Sequence, residues 1–370
     1  MKYDLIVIGG GLAGLALAIL EAKAGQRVLL CEQKHYPAHK VCGEYISYES
    51  HAFLQHLGLP LTDWALPDIQ RLKLTVPNYA LELNLPLGGF GLSRHKLDGS
   101  LAQRAKAAGV ELLEGTKVTK ISGKSGNYQV ETNSGLFTSF WVAGSWGRRT
   151  SLHKQPPQNR NYVGVKWHYH GPLPSDLITL HTFRGGYGGM SRVEDDQVCF
   201  CYMVASERLK SAGSIPQLEQ QLRNENRHLD EMLAPLTPSW DEPLSISQLS
   251  FLPKTRVYEG VLLLGDAAGS IAPLAGNGMS MALHAAWLLH QCWEKYGRSA
   301  SDFDRLAARY DQLWRAHFEL RSSVSYRLQG AFGKVAPATL LFRSVGAFPA
   351  LGKILARLTH GQVFGPVATK

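Results

Sequence analysis

Lys2-Tyr3-Asp4-Leu5-Ile6-Val7-Ile8-Gly9-Gly10-Gly11-Leu12-Ala13-Gly14 is the stretch that decides the fold. A β-rich apolar run stops abruptly at a glycine cluster, and an Ala/Leu-rich helical stretch follows to Ala24. Gly25 then precedes a second strand, Arg27 to Cys31, closed by Glu32. Gly9-x-Gly11-x-x-Gly14 between strand and helix, with an acid after the next strand, is the dinucleotide fingerprint in its full context. Gly9 makes the tight turn, Gly11 lets backbone approach a pyrophosphate, and Gly14 permits close helix–strand packing. The helix start offers free N–H groups and the positive end of its dipole to that phosphate. Glu32 is placed to accept hydrogen bonds from an adenosine ribose. The uncharged stretch from Leu5 to Leu20 falls short of the ~20 residues a membrane span needs.

A chain of 370 residues accommodates two sub-domains, and 45% hydrophobic with 19% charged residues is an ordinary globular balance. The net charge of +9 favours acidic partners: nucleotide phosphates, anionic lipid head groups or an acidic carrier protein. No nucleic-acid-binding motif accompanies it, so no nucleic acid is expected. Residues 315–370 concentrate the excess, with eight Lys/Arg against Glu319. The five cysteines lack disulfide or zinc spacing, and no metal site is expected. Cys199-x-Cys201 puts two thiols on one strand face, which suits packing. Asp4 before the apolar run argues against a signal peptide. A cytoplasmic location is expected, with peripheral membrane contact as the alternative. Nothing in the sequence speaks to oligomeric state.

The chain leaves regular structure after Glu32 and reaches Val41-Cys42-Gly43-Glu44, with a helix expected from Ser47 to Leu57. Strands are expected at 69–76 and 80–85, then a glycine-rich turn at Pro86–Gly91. A helix over 96–108 buries Leu97, Leu101 and Ala105. Strands at 111–113, 116–122, 128–132 and 137–143 leave no room for another helical crossover, so they read as a β-meander. Strands at 163–169, 177–183, 189–193, 198–204 and 244–251 read as an antiparallel sheet roofing a pocket, interrupted by one helix near 215–233. Gly260–Leu264 returns as a parallel strand. A helix at 278–295 and further helices to about Leu358 follow, broken at 330–337 and 346–349.

The second informative stretch is Gly265-Asp266-Ala267-Ala268-x4-Pro273-x2-Gly276-Asn277-Gly278. Asp266 would bond polyol hydroxyls. Backbone N–H groups of Gly276–Met279 would face a group that becomes anionic on reduction, as a flavin does.

With both motifs in order, the chain resembles the FAD-dependent oxidoreductase superfamily of p-hydroxybenzoate hydroxylase-like monooxygenases and geranylgeranyl reductase-like proteins. The resemblance covers most of residues 1–290. It implies an α/β fold: a Rossmann-like FAD-binding domain of the glutathione-reductase type, an antiparallel-sheet substrate domain and C-terminal helices. The FAD domain is expected at 1–60, 92–150 and 256–300, the sheet domain at 61–91 and 151–255, and the helical region at 301–370. The FAD diphosphate falls to Gly9, Gly11 and Gly14, the adenosine ribose to Glu32, and the ribityl chain to Asp266. Arg94 with Leu97-Asp98 looks like the family's Arg-x-x-Leu/Phe-Asp element, whose Arg lies along the FAD. Leu12, Ala13, Gln33, Lys40, Val118, Gly147, Gly265, Pro273, Gly276, Asn277, Gly278 and Met279 complete the expected cofactor contacts.

Two features point within the superfamily. Pro37-x-x-Lys40-x-Cys42-Gly43-Glu44 is similar to the Lys-x-Cys-Gly segment of geranylgeranyl reductase-like proteins, whose Cys faces flavin and substrate. Gly185-Gly186-Tyr187-Gly188-Gly189 stands where those reductases carry Gly-Tyr-x-Trp, with Gly189 in place of the Trp. Cys42 and Tyr187 are the candidate catalytic residues, against a reading of Cys42 as buried filler. One departure concerns the cofactor. Trp146 replaces the Asp of the family's Asp-Gly element, while Gly147 and Thr150 remain. Arg148-Arg149 serve either a nicotinamide phosphate or a solvated turn. No second glycine fingerprint exists, so NAD(P)H is expected only as a transient electron donor. His168, His170 and His181 read as structural or pocket-lining.

The implied activity is C=C reduction or dehydrogenation of a hydrophobic small-molecule or lipid-like substrate. The alternative is hydroxylation of an aromatic or polyketide substrate, and a non-catalytic flavoprotein ranks below both. The halogenase element Trp-x-Trp-x-Ile-Pro is absent. The basic C-terminal helices either pack over the FAD domain or present a lipid surface.

Overall fold

The computed structural model describes residues 2–148, 152, 162–249 and 254–366. β1 (Lys2–Ile8) leads into α1 (Leu12–Lys23), and the chain returns through β2 (Val28–Cys31). β3 (Tyr45–Ser47) and α2 (His51–His56) precede a long hairpin of β4 (Asp68–Val76) and β5 (Tyr79–Gly91). α3 (Arg94–Ala107) connects to β6 (Glu111–Leu113), β7 (Val118–Lys124), β8 (Asn127–Thr132) and β9 (Gly135–Gly144). Then come β10 (Tyr162–His170), β11 (Leu177–Phe183), β12 (Gly186–Arg192) and β13 (Val198–Ala205). Three short helices, α4 (Ser206–Ala212), α5 (Ile215–Glu225) and α6 (Arg227–Leu233), lead to β14 (Thr237–Pro238) and β15 (Leu244–Leu249). β16 (Val257–Tyr258) and β17 (Val261–Leu263) precede α7 (Gly278–Tyr296), α8 (Phe303–Phe332), α9 (Val335–Ala347) and α10 (Pro349–Thr359).

The first sheet runs β16-β17-β9-β1-β2-β6, and β7 and β8 continue it as a meander from β9. β1 is parallel to both β2 and β9, and β17 is parallel to β9. Its strands are buried on both faces, which is why they read as continuous apolar runs rather than alternations. α1 is apolar nearly all round for the same reason, with ten of its twelve residues buried. The chain leaves β1 toward β2 and β6 on one side and reaches β9 on the other. That reversal makes a crevice at the carboxyl ends of β1 and β9, where open α/β sheets bind their ligands.

The second sheet runs β14-β10-β13-β12-β11-β4-β5-β3, with β15 on β10. It is antiparallel except where β11 meets β4 in parallel. One face packs on α4–α6 through Val165, Phe183, Phe200 and Tyr202. The other face roofs the crevice.

Several expectations are corrected. The expected 47–57 helix begins four residues late, at His51 after a 3-10 turn, because Tyr45–Ser47 pair with Gly89–Gly91 as a strand. That pairing also makes Pro86–Gly91 strand rather than turn. Gly89 is needed there because a Cβ would press on the Tyr45 ring at 2.6 Å. The expected 215–233 helix breaks at Asn226, which leaves helical geometry and caps α6 through its Oδ1, and α4 was not anticipated. β12 starts at Gly186, so the glycine run is strand rather than a lead-in to one. The tail of the expected 244–251 strand lies outside the described residues.

Candidate active site

Three motif segments converge at the carboxyl ends of parallel strands: Gly9–Gly14 after β1, Ser145–Gly147 after β9 and Gly265–Asp266 after β17. The fingerprint glycines divide by what surrounds them. A Cβ on Gly9 would lie 2.5 Å from the Ser145 carbonyl oxygen, and one on Gly14 would collide with the Gly9 carbonyl. A Cβ on Gly11 would meet none of the described residues within 4 Å, so its missing side chain faces an opening among them. No side chain caps α1, leaving the first-turn N–H groups of Leu12, Ala13 and Gly14 to that opening. Gly147 is equally open. Glu32 is buried; its Oε2 accepts from the Gly10 N–H at 2.6 Å and its Oε1 from the Lys34 N–H at 2.9 Å. Gln33 is exposed beside it, and Val118 is buried in the cluster under Ile8 and Cys31.

The second helix start has the same character. Pro273 begins a short turn, Gly276 follows at φ +65°, and Asn277 stands at the N-terminus of α7 without a side-chain cap. The Asn277 Nδ2 donates instead to the Thr359 carbonyl at 2.7 Å, while its Oδ1 is buried without a partner among the described residues. Asp266 Oδ2 lies 2.9 Å from Arg148 Nε, and Lys254 Nζ donates to the Asp266 carbonyl at 2.7 Å. Burial pushes the Asp266 carboxyl up, but the Arg148 guanidinium outweighs it and holds it below the usual range. Arg148 therefore does more than solvate a turn. Arg149 and Thr150 lie outside the described residues. Trp146 leaves the crevice: its ring crosses Gly144 and joins the apolar cluster beneath the meander.

Two uncapped helix N-termini and an open glycine facing one crevice fit an extended anionic dinucleotide with a reducible ring. Residues 4–41 match the family model described as an FAD binding domain. Over 342 residues the chain is 25% identical to digeranylgeranylglycerophospholipid reductase 2 of Methanopyrus kandleri, covering 86% of this chain and 83% of that protein. It is 23% identical over 364 residues to menaquinone reductase of Mycolicibacterium smegmatis, covering 88% and 84%. A flavin-dependent brominase superposes with a TM-score of 0.79 at 17% identity, covering 99% and 95%, a likeness of fold. The chain belongs to the FAD-dependent oxidoreductase superfamily. It is an enzyme, and its cofactor is FAD.

At the start of α7 the Cys42 thiol lies 3.7 Å from Met279 Sδ. Above it, Cys199 Sγ reaches the Cys42 carbonyl at 3.4 Å and Ser191 Oγ the Gly43 carbonyl at 3.5 Å. Burial pushes the Cys42 thiol up, with the Arg94 guanidinium opposing. Arg94 is clamped by both Asp98 oxygens at 2.8 Å, and Lys40 joins Asp98 at 2.6 Å. Tyr187 lies further along the roof, buried against Phe332, its hydroxyl without a hydrogen-bond partner among the described residues. His181 faces away from the crevice, between Thr75 and Thr179 on the α5–α6 side.

Sequence reasoning overlooked Glu44 and Lys166 and undervalued His168. Glu44 is fully buried and bonded to both Lys166 and His168. The signal was present: Lys166 and His168 are two apart in the apolar strand Val163-Gly164-Val165-Lys166-Trp167-His168, so both point to one face.

Proposed function

We propose that this enzyme exchanges a hydride and a proton across a carbon–carbon double bond of a hydrophobic, lipid-like substrate. The junction at Cys42 carries the reading: its thiol lies between the start of α7 and a roof whose far half is apolar. Leu74, Val76, Met203, Leu249, Phe332 and Phe342 build that half around Tyr187. Two relatives named as reductases of a geranylgeranyl phospholipid and of menaquinone support it.

In this reading Gly9, Gly11 and Gly14, with the Leu12 and Ala13 N–H groups, receive the FAD diphosphate. Glu32 and Gln33 take the adenosine ribose, near Val118. Gly265 and Asp266 meet the ribityl hydroxyls, with Gly147 leaving room. Pro273, Gly276, Asn277, Gly278 and Met279 border the ring, where the dipole of α7 favours the reduced anion. Arg94 and Lys40, joined by Asp98, brace the opposite edge. Bound FAD supplies the electron pair. Cys42 holds the proton at Sγ, Tyr187 orients the substrate, and the apolar roof excludes water. NAD(P)H is the proposed transient donor.

The substrate enters from an anionic lipid surface. The inner face of α9, at Ala338 and Phe342, packs against the apolar roof. Its outer side exposes Leu340, and Phe348 beyond its end is exposed too, both 70% accessible. Lys334 before α9, Arg343 within it and Arg357 in α10 are exposed as well. Among the described residues no single helix is long and apolar enough to cross a membrane.

The test is anaerobic reduction of the yellow protein with NAD(P)H, then addition of a polyprenyl lipid or air. Reoxidation by the lipid, lost in Cys42→Ala, is expected. Reoxidation by air alone, with oxygen incorporated into an aromatic substrate, would replace this reading with hydroxylation.

A further inference from the structure

The polar end of the roof carries a charge cluster that the proposed function leaves unused. Glu44 sits at φ +57°, a conformation costly for a side chain with a Cβ, and its carboxylate is saturated. Oε1 accepts from the Arg94 backbone N–H at 2.7 Å and from the Lys166 ammonium at 2.5 Å. Oε2 meets His168 Nε2 at 2.7 Å, and His168 Nδ1 meets Gln197 Oε1 at 2.7 Å. Burial alone would raise the Glu44 carboxyl, but the His168 hydrogen bond and the Lys166 charge hold it at about 2.

The cluster has an outer and an inner side. Outside, the His39 ring lies edge-on to His168 at 5.3 Å and stacks on His95 at 4.6 Å, and both are partly exposed. Trp240 covers the flank, stacked on His168 at 4.6 Å. Inside, the strand register sets Lys166 opposite Cys201 and His168 opposite Cys199, whose thiol touches the Cys42 backbone. His39, Glu44 and His168 do bring ligand-type atoms within 4.8 Å. The ammonium already on Glu44 opposes a divalent cation there.

We infer that Lys166, Glu44 and His168 form the proton-supply unit of this active site, with Lys166 at its pocket end, His39 and His95 at its solvent end, and Cys42 as the group it serves. This rests on the placement of Cys42 in the pocket. When a substrate carbon takes the Cys42 proton, the S–H bond breaks and a C–H bond forms. The thiolate then takes a proton from the Lys166 ammonium. The Lys166 amine regains one from His168 across the shared carboxylate, and His168 takes its replacement from water past His39. One proton enters from solvent per turnover, and the electron pair comes from reduced FAD. Glu44 is the positioning residue that keeps donor and acceptor on one carboxylate.

The test is the pH dependence of Cys42 alkylation by iodoacetamide, located by peptide mass spectrometry in FAD-free and FAD-loaded protein. The charged and titratable groups facing Cys42 are Arg94 from α3, Glu44 from its own segment, Lys166 from β10, and Cys199 and Cys201 from β13. Lys166→Met is expected to raise the labelling midpoint by about one pH unit, Lys166→Arg to restore it, and Glu44→Gln to lower it. If Lys166→Met does not fold, the near-isosteric Glu44→Gln carries the test alone. Midpoints that stay put while FAD still slows labelling overturn the proton unit and leave the pocket intact. Labelling indifferent to FAD overturns the pocket placement itself.

Discussion

The Asn277 carboxamide donates to the Thr359 carbonyl at 2.7 Å, so the loop that opens α7 is held by the end of the last helix, 82 residues later. Phe364 reinforces the contact by stacking on His284 of α7 at 4.2 Å. The expected C-terminal helical region is thus a support for the loop proposed to border the flavin ring.

Asn277→Ala removes one buried hydrogen bond and is expected to cost about 1–2 kcal/mol, with a larger loss of FAD affinity. A chain ending at residue 358 should do the same and lower Tm further. Thermal unfolding with and without added FAD reads both. A truncated chain that retains FAD like the intact one would show that the loop stands unaided.

Gly11→Ala and Gly14→Ala should separate binding from folding. The new Cβ at residue 11 meets none of the described residues within 4 Å, so stability should stay within about 0.5 kcal/mol while FAD affinity falls. At residue 14 it strikes the Gly9 carbonyl, and stability itself should fall by about 1–3 kcal/mol. Equal FAD affinity in Gly11→Ala would move the diphosphate elsewhere.

Acid should destabilise the protein through buried neutral histidines. Burial drives His181 and His284 down from 6.5 to about 3 in the folded state. Their unfolded forms take up protons first, so this stability is complete above pH 6.5 and lost as pH falls toward about 3. His284→Phe should reduce the slope of unfolding free energy against pH in that window by about 1.4 kcal/mol per pH unit. An unchanged slope in urea titrations from pH 4 to 6 would count against it.

Lys166→Met leaves Glu44 buried without its ammonium and is expected to cost about 3–5 kcal/mol. The double variant Glu44→Gln/Lys166→Met should cost less than Lys166→Met alone, because no bare charge remains. Chemical denaturation of all four combinations gives the coupling. Additive costs would mean that the two groups do not depend on each other.

Leu340→Asp with Phe348→Asp should abolish binding to anionic vesicles and spare FAD content. Flotation with anionic and with zwitterionic vesicles is the measurement. Binding that persists in the double variant, or that follows an acidic carrier protein instead, would remove the lipid-surface proposal.

Much of this was legible because its physics is local. Gly9, Gly11 and Gly14 work within a single strand–turn–helix unit, and the Gly265-Asp266 segment within another, so spacing alone exposes them. β1 and β2 announce burial on both faces by unbroken apolar runs. The 47–57 and 86–91 segments were misread because their conformation depends on each other. Tyr45–Ser47 becomes a strand only when Gly89–Gly91 lies beside it, 40 or more residues away.

By itself, then, the sequence determined the N-terminal strand–glycine–helix unit of an FAD-binding fold and the later strand–turn–helix unit at Gly265-Asp266. Only the tertiary structure decided what surrounds Cys42. Glu44 lies more than 120 residues before Lys166 and His168, which share one strand. Thr359 reaches Asn277 across the whole C-terminal region. A buried charge is tolerable only beside its partner, and partners chosen by folding leave no spacing to read.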